Sequence, residues 1–249
     1  MPQKISVGAV SYLNTKPLIY GFEQGMMRDS IELVMDYPAR IADSLIKKDI
    51  DIGLVPVTVM NIMPGSRIIG DYGIACTGEV ASVCLFSDVP VENIETILLD
   101  YQSNASVALL KLLLEKHWKI SPVLVHAESG YEKKITGATA GLVIGDRAFE
   151  QRLVSRYVYD LGQAWFEMTD LPFVFAAWIS HKELSTEFII EFNRANEAGL
   201  QDLDAVIATA NYPLFDLEKY YTVNMQFRLD EEKKKGLALF LDLVRQSGF

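Results

Sequence analysis

Only two cysteines and three histidines occur in the 249 residues, and that scarcity removes several chemistries at once. Cys76 and Cys84 flank a Gly-containing segment at a spacing that fits no metal or redox motif, so both read as buried reduced thiols. His117, His126 and His181 are scattered and form no HExxH-like pattern, and no metal is expected. No apolar run is long enough to span a bilayer, which gives no reason to expect a membrane partner. Met1-Pro2-Gln3-Lys4 runs straight into a strand-like segment without the apolar region or cleavage site of an export signal, so a cytoplasmic location is expected. Positive charge is also short. Against 33 Asp and Glu stand 23 Lys and Arg, a formal net charge of −10, and no basic block or aromatic-basic pattern offers a surface to nucleic acid. No Gly/Ser-rich linker, internal repeat or low-complexity tract interrupts the chain.

What is present is apolar material in quantity. At 50% hydrophobic residues the chain can bury a sizeable core, in one large domain or two smaller ones. Strand-like and helix-like segments alternate: a strand at 5–10, a helix starting at Pro17, a strand at 31–36, and a helix at 38–48 with Ile41, Leu45 and Ile46 on one face. A short buried strand at 51–57 is ended by Pro56. This βαβ order predicts a mostly parallel sheet covered on both faces. Strands follow at 82–86 and 96–99, a helix apolar nearly all round at 107–114, a strand at 140–144 and a long apolar strand at 171–179. After Glu183 everything reads as helices. The strands near Ser82 and Phe173 divide the chain into two outer segments and a middle one. The predicted organisation is therefore two α/β lobes, 1–82 with 178–249 and 83–177.

Ligands of open α/β sheets bind beyond the carboxyl ends of strands. Ser11-Tyr12-Leu13-Asn14-Thr15-Lys16-Pro17 puts small polar side chains where a strand gives way to a helix, whose unpartnered N–H groups and macrodipole hold anions. Ser103-Asn104-Ala105-Ser106 repeats the design at the head of the buried helix, suited to a carboxylate or phosphate. It lacks the glycines and lysine of a P-loop, which argues against a nucleotide. The turns around Pro56 and at Gly145-Asp146-Arg147 are the other two such junctions. Plainer readings stand beside these: ordinary Ser/Asn caps, a structural Asp146–Arg147 pair, a solvated Glu79, and core packing for Tyr12, Phe173, Phe175 and Trp178.

Taken in order, Ser11-Tyr12-Leu13-Asn14-Thr15, Gly53-Leu54-Val55-Pro56, Val80-Ala81-Ser82-Val83-Cys84-Leu85-Phe86-Ser87, Ser106-Val107-Ala108-Leu109-Leu110, Gly145-Asp146-Arg147-Ala148, Tyr159-Asp160-Leu161-Gly162 and Leu171-Pro172-Phe173-Val174-Phe175-Ala176 form a set that resembles the chorismate dehydratases of the futalosine route to menaquinone. The resemblance covers essentially the whole chain. It implies a two-lobed fold like the type II periplasmic binding proteins, with a ligand cleft between lobes, used by a cytoplasmic enzyme. It implies loss of water from chorismate to give 3-[(1-carboxyvinyl)oxy]benzoate, with a small-molecule substrate and no cofactor. The assembly is left open, with a homodimer as one form. On this reading Asn14 is the catalytic group, and Ser11, Tyr12, Pro56, Glu79, Ser82, Ser103, Asn104, Ala105, Ser106 and Asp146 contact substrate. The base stays open between the substrate's own enolpyruvyl carboxylate, Glu79 and Asp146. The family usually has Arg then Thr at Asn104 and Ala105, and Gly at Asp170. Two rivals remain: a non-catalytic small-anion solute-binding protein, and the related 1,4-dihydroxy-6-naphthoate synthase. The second relies on a second-lobe histidine, and no His lies between His126 and His181.

Overall fold

The computed structural model describes residues 4–248. In chain order it runs β1 (Ile5–Ala9), α1 (Lys16–Glu23), β2 (Ile31–Met35), α2 (Pro38–Lys47), β3 (Ile52–Pro56), α3 (Val59–Ile62) and β4 (Arg67–Cys76). There follow β5 (Val83–Ser87), β6 (Thr96–Leu99), α4 (Asn104–Leu113), β7 (Val123–His126), β8 (Thr139–Ile144), α5 (Asp146–Arg152), β9 (Tyr157–Asp160) and α6 (Leu161–Thr169). The chain ends with β10 (Phe173–Ser180), α7 (Thr186–Gln201), α8 (Leu203–Ala210), α9 (Leu217–Lys219), β11 (Gln226–Arg228) and α10 (Glu231–Ser247).

Two sheets result, of six strands in the order β11-β4-β10-β3-β1-β2 and of five in the order β7-β6-β8-β5-β9. Both are mixed, which corrects the expectation of a mostly parallel sheet. The parallel part of the first is β1 with β2 and β3, and that of the second is β6 with β7 and β8. Antiparallel strands extend each: β10 on β3 and β11 on β4 in the first, β5 on β8 and β9 on β5 in the second. The cause of the misreading is burial. All but Ala176 of the eight-residue β10 is buried, the signature of a central strand covered on both faces, which is commonest in parallel sheets.

The chain divides into two compact units, one running through Ala75 and resuming over Val174–Glu231, the other made of Cys76–Phe173 and the chain from Glu232 onward. The C-terminal helix thus belongs with the middle segment, whereas the sequence pattern places all of 178–249 in the first lobe. Packing explains it: Phe240, fully buried on α10, lies edge-on to Phe173 at 4.8 Å and to Trp165 at 5.9 Å between ring centroids. β11 likewise interrupts the expected run of helices after Glu183. No helix among the described residues is long and apolar enough to cross a membrane.

In the first unit Phe22, Trp178 and Phe192 form an aromatic core with centroids 5.1–6.1 Å apart. α1 and α7 approach until backbone meets backbone. A Cβ at Gly21 would lie 2.2 Å from the Ala195 carbonyl oxygen, and one at Gly199 the same distance from that of Pro17. Only glycine permits this approach, and it fixes the axis of α1, the helix that the Ser11–Asn14 segment leads into.

Candidate functional site

Beyond β1 the chain makes a single 3-10 turn, Leu13–Thr15, before α1 begins at Lys16 with Pro17 in its first turn. Asn14 therefore sits inside a turn and not at a helix cap; no side chain caps either helical segment. Its Oδ1 accepts the Thr15 hydroxyl at 3.3 Å, Ser11 is exposed, and Tyr12 and Asn14 are half-buried. Pro56 ends β3, the parallel neighbour of β1. Gly8 pairs with Gly53, three residues before Ser11 and Pro56 respectively, so the two junctions share the carboxyl edge of the first sheet.

The other predicted residues gather at one edge of the second sheet. β6 and β8 are parallel and both point there, delivering 103–106 from one strand and Asp146 from the other. β5 starts at the same edge, where the Gly145 N–H donates to the Ser82 carbonyl at 2.8 Å. Ser103 is the N-cap of α4: its hydroxyl accepts the Ser106 N–H at 3.3 Å and lies 3.0 Å from the Ser106 hydroxyl. The N–H groups of Asn104 and Ala105 lie in the same first turn, where no intrahelical carbonyl reaches them. Ala105 and Ser106 are buried and Asn104 is exposed. This arrangement can receive a carboxylate through backbone donors and hydroxyls, without a cation.

Glu79 is not simply solvated: half-exposed, it pairs with Arg152 at 3.2 Å. Arg147 reaches across the chain, with Nη2 donating to Asp100 Oδ2 and Gln102 Oε1, both at 2.7 Å, and Nη1 donating to Glu132 Oε1 at 2.7 Å. The single hydroxyl proton of Tyr131 is shared between the same Asp100 oxygen, 2.8 Å away, and the Leu142 carbonyl. Burial pushes the Asp100 carboxyl up, against the pull of Arg147. Burial also works against the Arg147 charge, but Asp100 and Glu132 outweigh it and raise that group. Sequence reasoning misses this node, which braces the loop between β6 and α4. Asp100 ending an apolar strand is the one available sign.

Phe173, Phe175 and Trp178 are core residues, as the plainer reading has it. Both cysteines are buried and free, with thiols pushed well up, by burial first and by the Asp160 charge second. His117 sits near Glu167 at 3.5 Å on the surface of the second unit.

A family model described as menaquinone biosynthesis matches residues 5–246. The chain belongs to that family. Like this menaquinone-biosynthesis protein throughout its length is a chorismate dehydratase from Thermus thermophilus, 28% identical across 96% of this chain and 94% of that one. Among solved structures, a protein from Archaeoglobus fulgidus superposes with a TM-score of 0.75 at 15% identity, covering 98% of both chains. The periplasmic aliphatic sulphonate binding protein of Escherichia coli does so at 0.65 with 14% identity, covering 100% of this chain and 94% of that one. These last two likenesses establish the fold: α/β, of the periplasmic-binding-protein type.

Proposed function

We propose that the protein is a lyase that removes water from chorismate to form 3-[(1-carboxyvinyl)oxy]benzoate. The observation that carries this reading is the near-full-length likeness to a chorismate dehydratase within a menaquinone-biosynthesis family. The C3 proton of chorismate is vinylogous to the ring carboxylate, so its removal spreads negative charge onto that group. Breaking the C4–O bond then forms the last ring double bond, and proton and hydroxide leave as water. Such a reaction asks the protein to bind a dianion, stabilise developing charge with fixed donors and assist a leaving hydroxide.

Each demand has a candidate. The first turn of α4, with Ser103, Asn104, Ala105 and Ser106, holds one carboxylate. Asn14 polarises the departing hydroxyl, with Ser11, Tyr12 and Pro56 shaping its surroundings. Ser82 and Asp146 line the edge beside the α4 turn. The enolpyruvyl carboxylate that the substrate brings with it takes the proton, with Glu79, which pairs with Arg152, and Asp146 as the protein alternatives. We place the enzyme in the cytoplasm.

Incubation of purified protein with chorismate, followed by chromatography and mass spectrometry, tests the reading. The enolpyruvyl benzoate should accumulate with no metal or nucleotide added, and EDTA should not slow it. Chorismate bound but returned unchanged would instead identify a solute-binding protein.

A further inference from the structure

The segment before Ser82 is folded in a costly way. The Ser82 N–H donates to the Val80 carbonyl at 2.8 Å, and Ala81 between them has φ +65°. This is the rare γ-turn with positive φ at its centre. A non-glycine residue there costs of order 1–3 kcal/mol and keeps its shape only when its surroundings impose it.

Asp160 imposes it. Its Oδ2 accepts the Ala81 N–H at 2.7 Å and its Oδ1 the Val80 N–H at 3.0 Å. The same Oδ1 accepts the N–H groups of Gly162 and Gln163 at 3.0 and 3.1 Å, so one carboxylate caps α6 and clasps the turn. A helix cap alone explains only the second pair; the first pair lies some 80 residues away in sequence. Arg152 braces the arrangement, its Nε donating to the Ala81 carbonyl at 2.9 Å and its Nη2 to Asp160 Oδ2 at 3.3 Å. Gly162 lets the strands of chain come this close: a Cβ there would lie 2.5 Å from Cys76 Sγ and 2.6 Å from the Gly78 carbonyl oxygen. The product of all these contacts is one fixed placement of Ser82, 1% exposed and tied through its own carbonyl to Gly145.

We propose that Asp160, braced by Arg152, is a positioning residue that holds the turn at Ala81 so that Ser82 meets the substrate in a single geometry. This rests on the reading of the protein as a chorismate dehydratase with Ser82 in contact with substrate. It accounts for the Tyr159-Asp160-Leu161-Gly162 motif, in which the carboxylate grips the turn and the glycine makes room for it. Asp160→Asn is the informative change, because the carboxamide keeps one acceptor oxygen but sets an NH2 group against N–H donors whichever way it is turned.

The experiment is a double-mutant cycle of D160N with S82A, read by steady-state kinetics on chorismate and by circular dichroism for folding. D160N should lower kcat/KM by about 10²-fold, the scale of an ångström-sized misplacement. S82A should also lower it, and the double variant should match S82A within about twofold, since the clasp has nothing left to position. Losses that multiply, wild-type kinetics in folded D160N, or wild-type kinetics in S82A would each overturn the proposal. Should D160N fail to fold, R152K removes the donor to the Ala81 carbonyl while keeping the charge, and the same cycle with S82A decides. Wild-type protein that leaves chorismate unchanged would overturn the activity itself and this proposal with it. Turnover by wild type with multiplied losses would overturn the positioning alone.

Discussion

The phenol of Tyr221 donates a buried hydrogen bond of 2.9 Å to the carbonyl of Leu13, joining residues 208 positions apart. Tyr221 lies in a π-helical turn, Tyr220–Asn224, a local irregularity that concentrates at functional sites. Leu13 opens the turn that carries Asn14. Tyr221→Phe would remove this bond from a carbonyl that also accepts the Lys16 N–H, at a cost of roughly 0.5–1.5 kcal/mol. The expected result is a lower urea midpoint with a fall in kcat that exceeds any rise in KM, because the Asn14 turn loses its tether.

Asn14→Ala should lower kcat by about 10²–10³, the usual penalty for one well-placed polar group in a water-excluded site. Ser106→Ala should instead raise KM, since a carboxylate at the mouth of α4 is held equally in ground and transition states. Kinetics of the two variants, with folding verified by circular dichroism, separate the roles. Near-normal turnover in folded Asn14→Ala would move the assignment to Glu79 or Asp146.

Asp170 ends α6 with φ +56°, its N–H donating to the Phe166 carbonyl at 2.8 Å. The resemblance puts glycine here, and glycine adopts that backbone without a Cβ penalty. Asp170→Gly should stabilise the protein by about 0.5–1 kcal/mol, after the entropy that glycine adds to the unfolded chain. A thermal melt reads this as a rise of about 1–4 °C.

Asp51 and Ser6 bind each other twice, each backbone N–H donating to the other's side chain at 3.0 Å, and Lys182 sits 2.5 Å from Asp51 Oδ1. Burial works against the Asp51 carboxylate, but Lys182 and Ser6 outweigh it and hold the group below the usual carboxylate range. A folded value below the unfolded one means stability that is fully present above the unfolded value and lost as pH falls through the folded one. Asp51→Asn should therefore cost roughly 1.5–3 kcal/mol at pH 7, the worth of hydrogen bonds to a charged group. The gap from wild type should narrow below about pH 4 in urea titrations.

Phe240→Ala should cost about 3–5 kcal/mol, as expected for a fully buried aromatic. Fluorescence of Trp165, whose ring Phe240 touches, should report the loss of packing directly.

Much of this fold is legible in the sequence where apolar periodicity is strong. β1, β2, α2, β3, β6 and the buried helix α4 fall within a few residues of where the pattern puts them. β4 escapes because Gly70 and Gly73 break its run, Gly70 with φ +70°. β9 escapes because all four of its residues are half-buried, leaving no alternation to read. The polar caps at 103–106 announce themselves through local chemistry. The grip of Arg147 on Asp100 spans 47 residues, and nothing local distinguishes it from a pairing with adjacent Asp146. Asp160 is visible as a motif, yet its hold on Val80 and Ala81 exists only once the chain has folded.

The placement of α10 sets an order of events at the ribosome. The second unit's core closes around Phe240, yet that residue is made only after the last stretch of the first unit, Val174–Glu231, has been synthesised. Trp165 and Phe173 must therefore wait, exposed or loosely covered, while more than fifty further residues emerge. A nascent chain in that state shows the aromatic surface that chaperones bind and that drives aggregation. Any truncation before Phe240 would make that vulnerable state permanent. The second unit's core is thus completed only when the turns of α10 have been made.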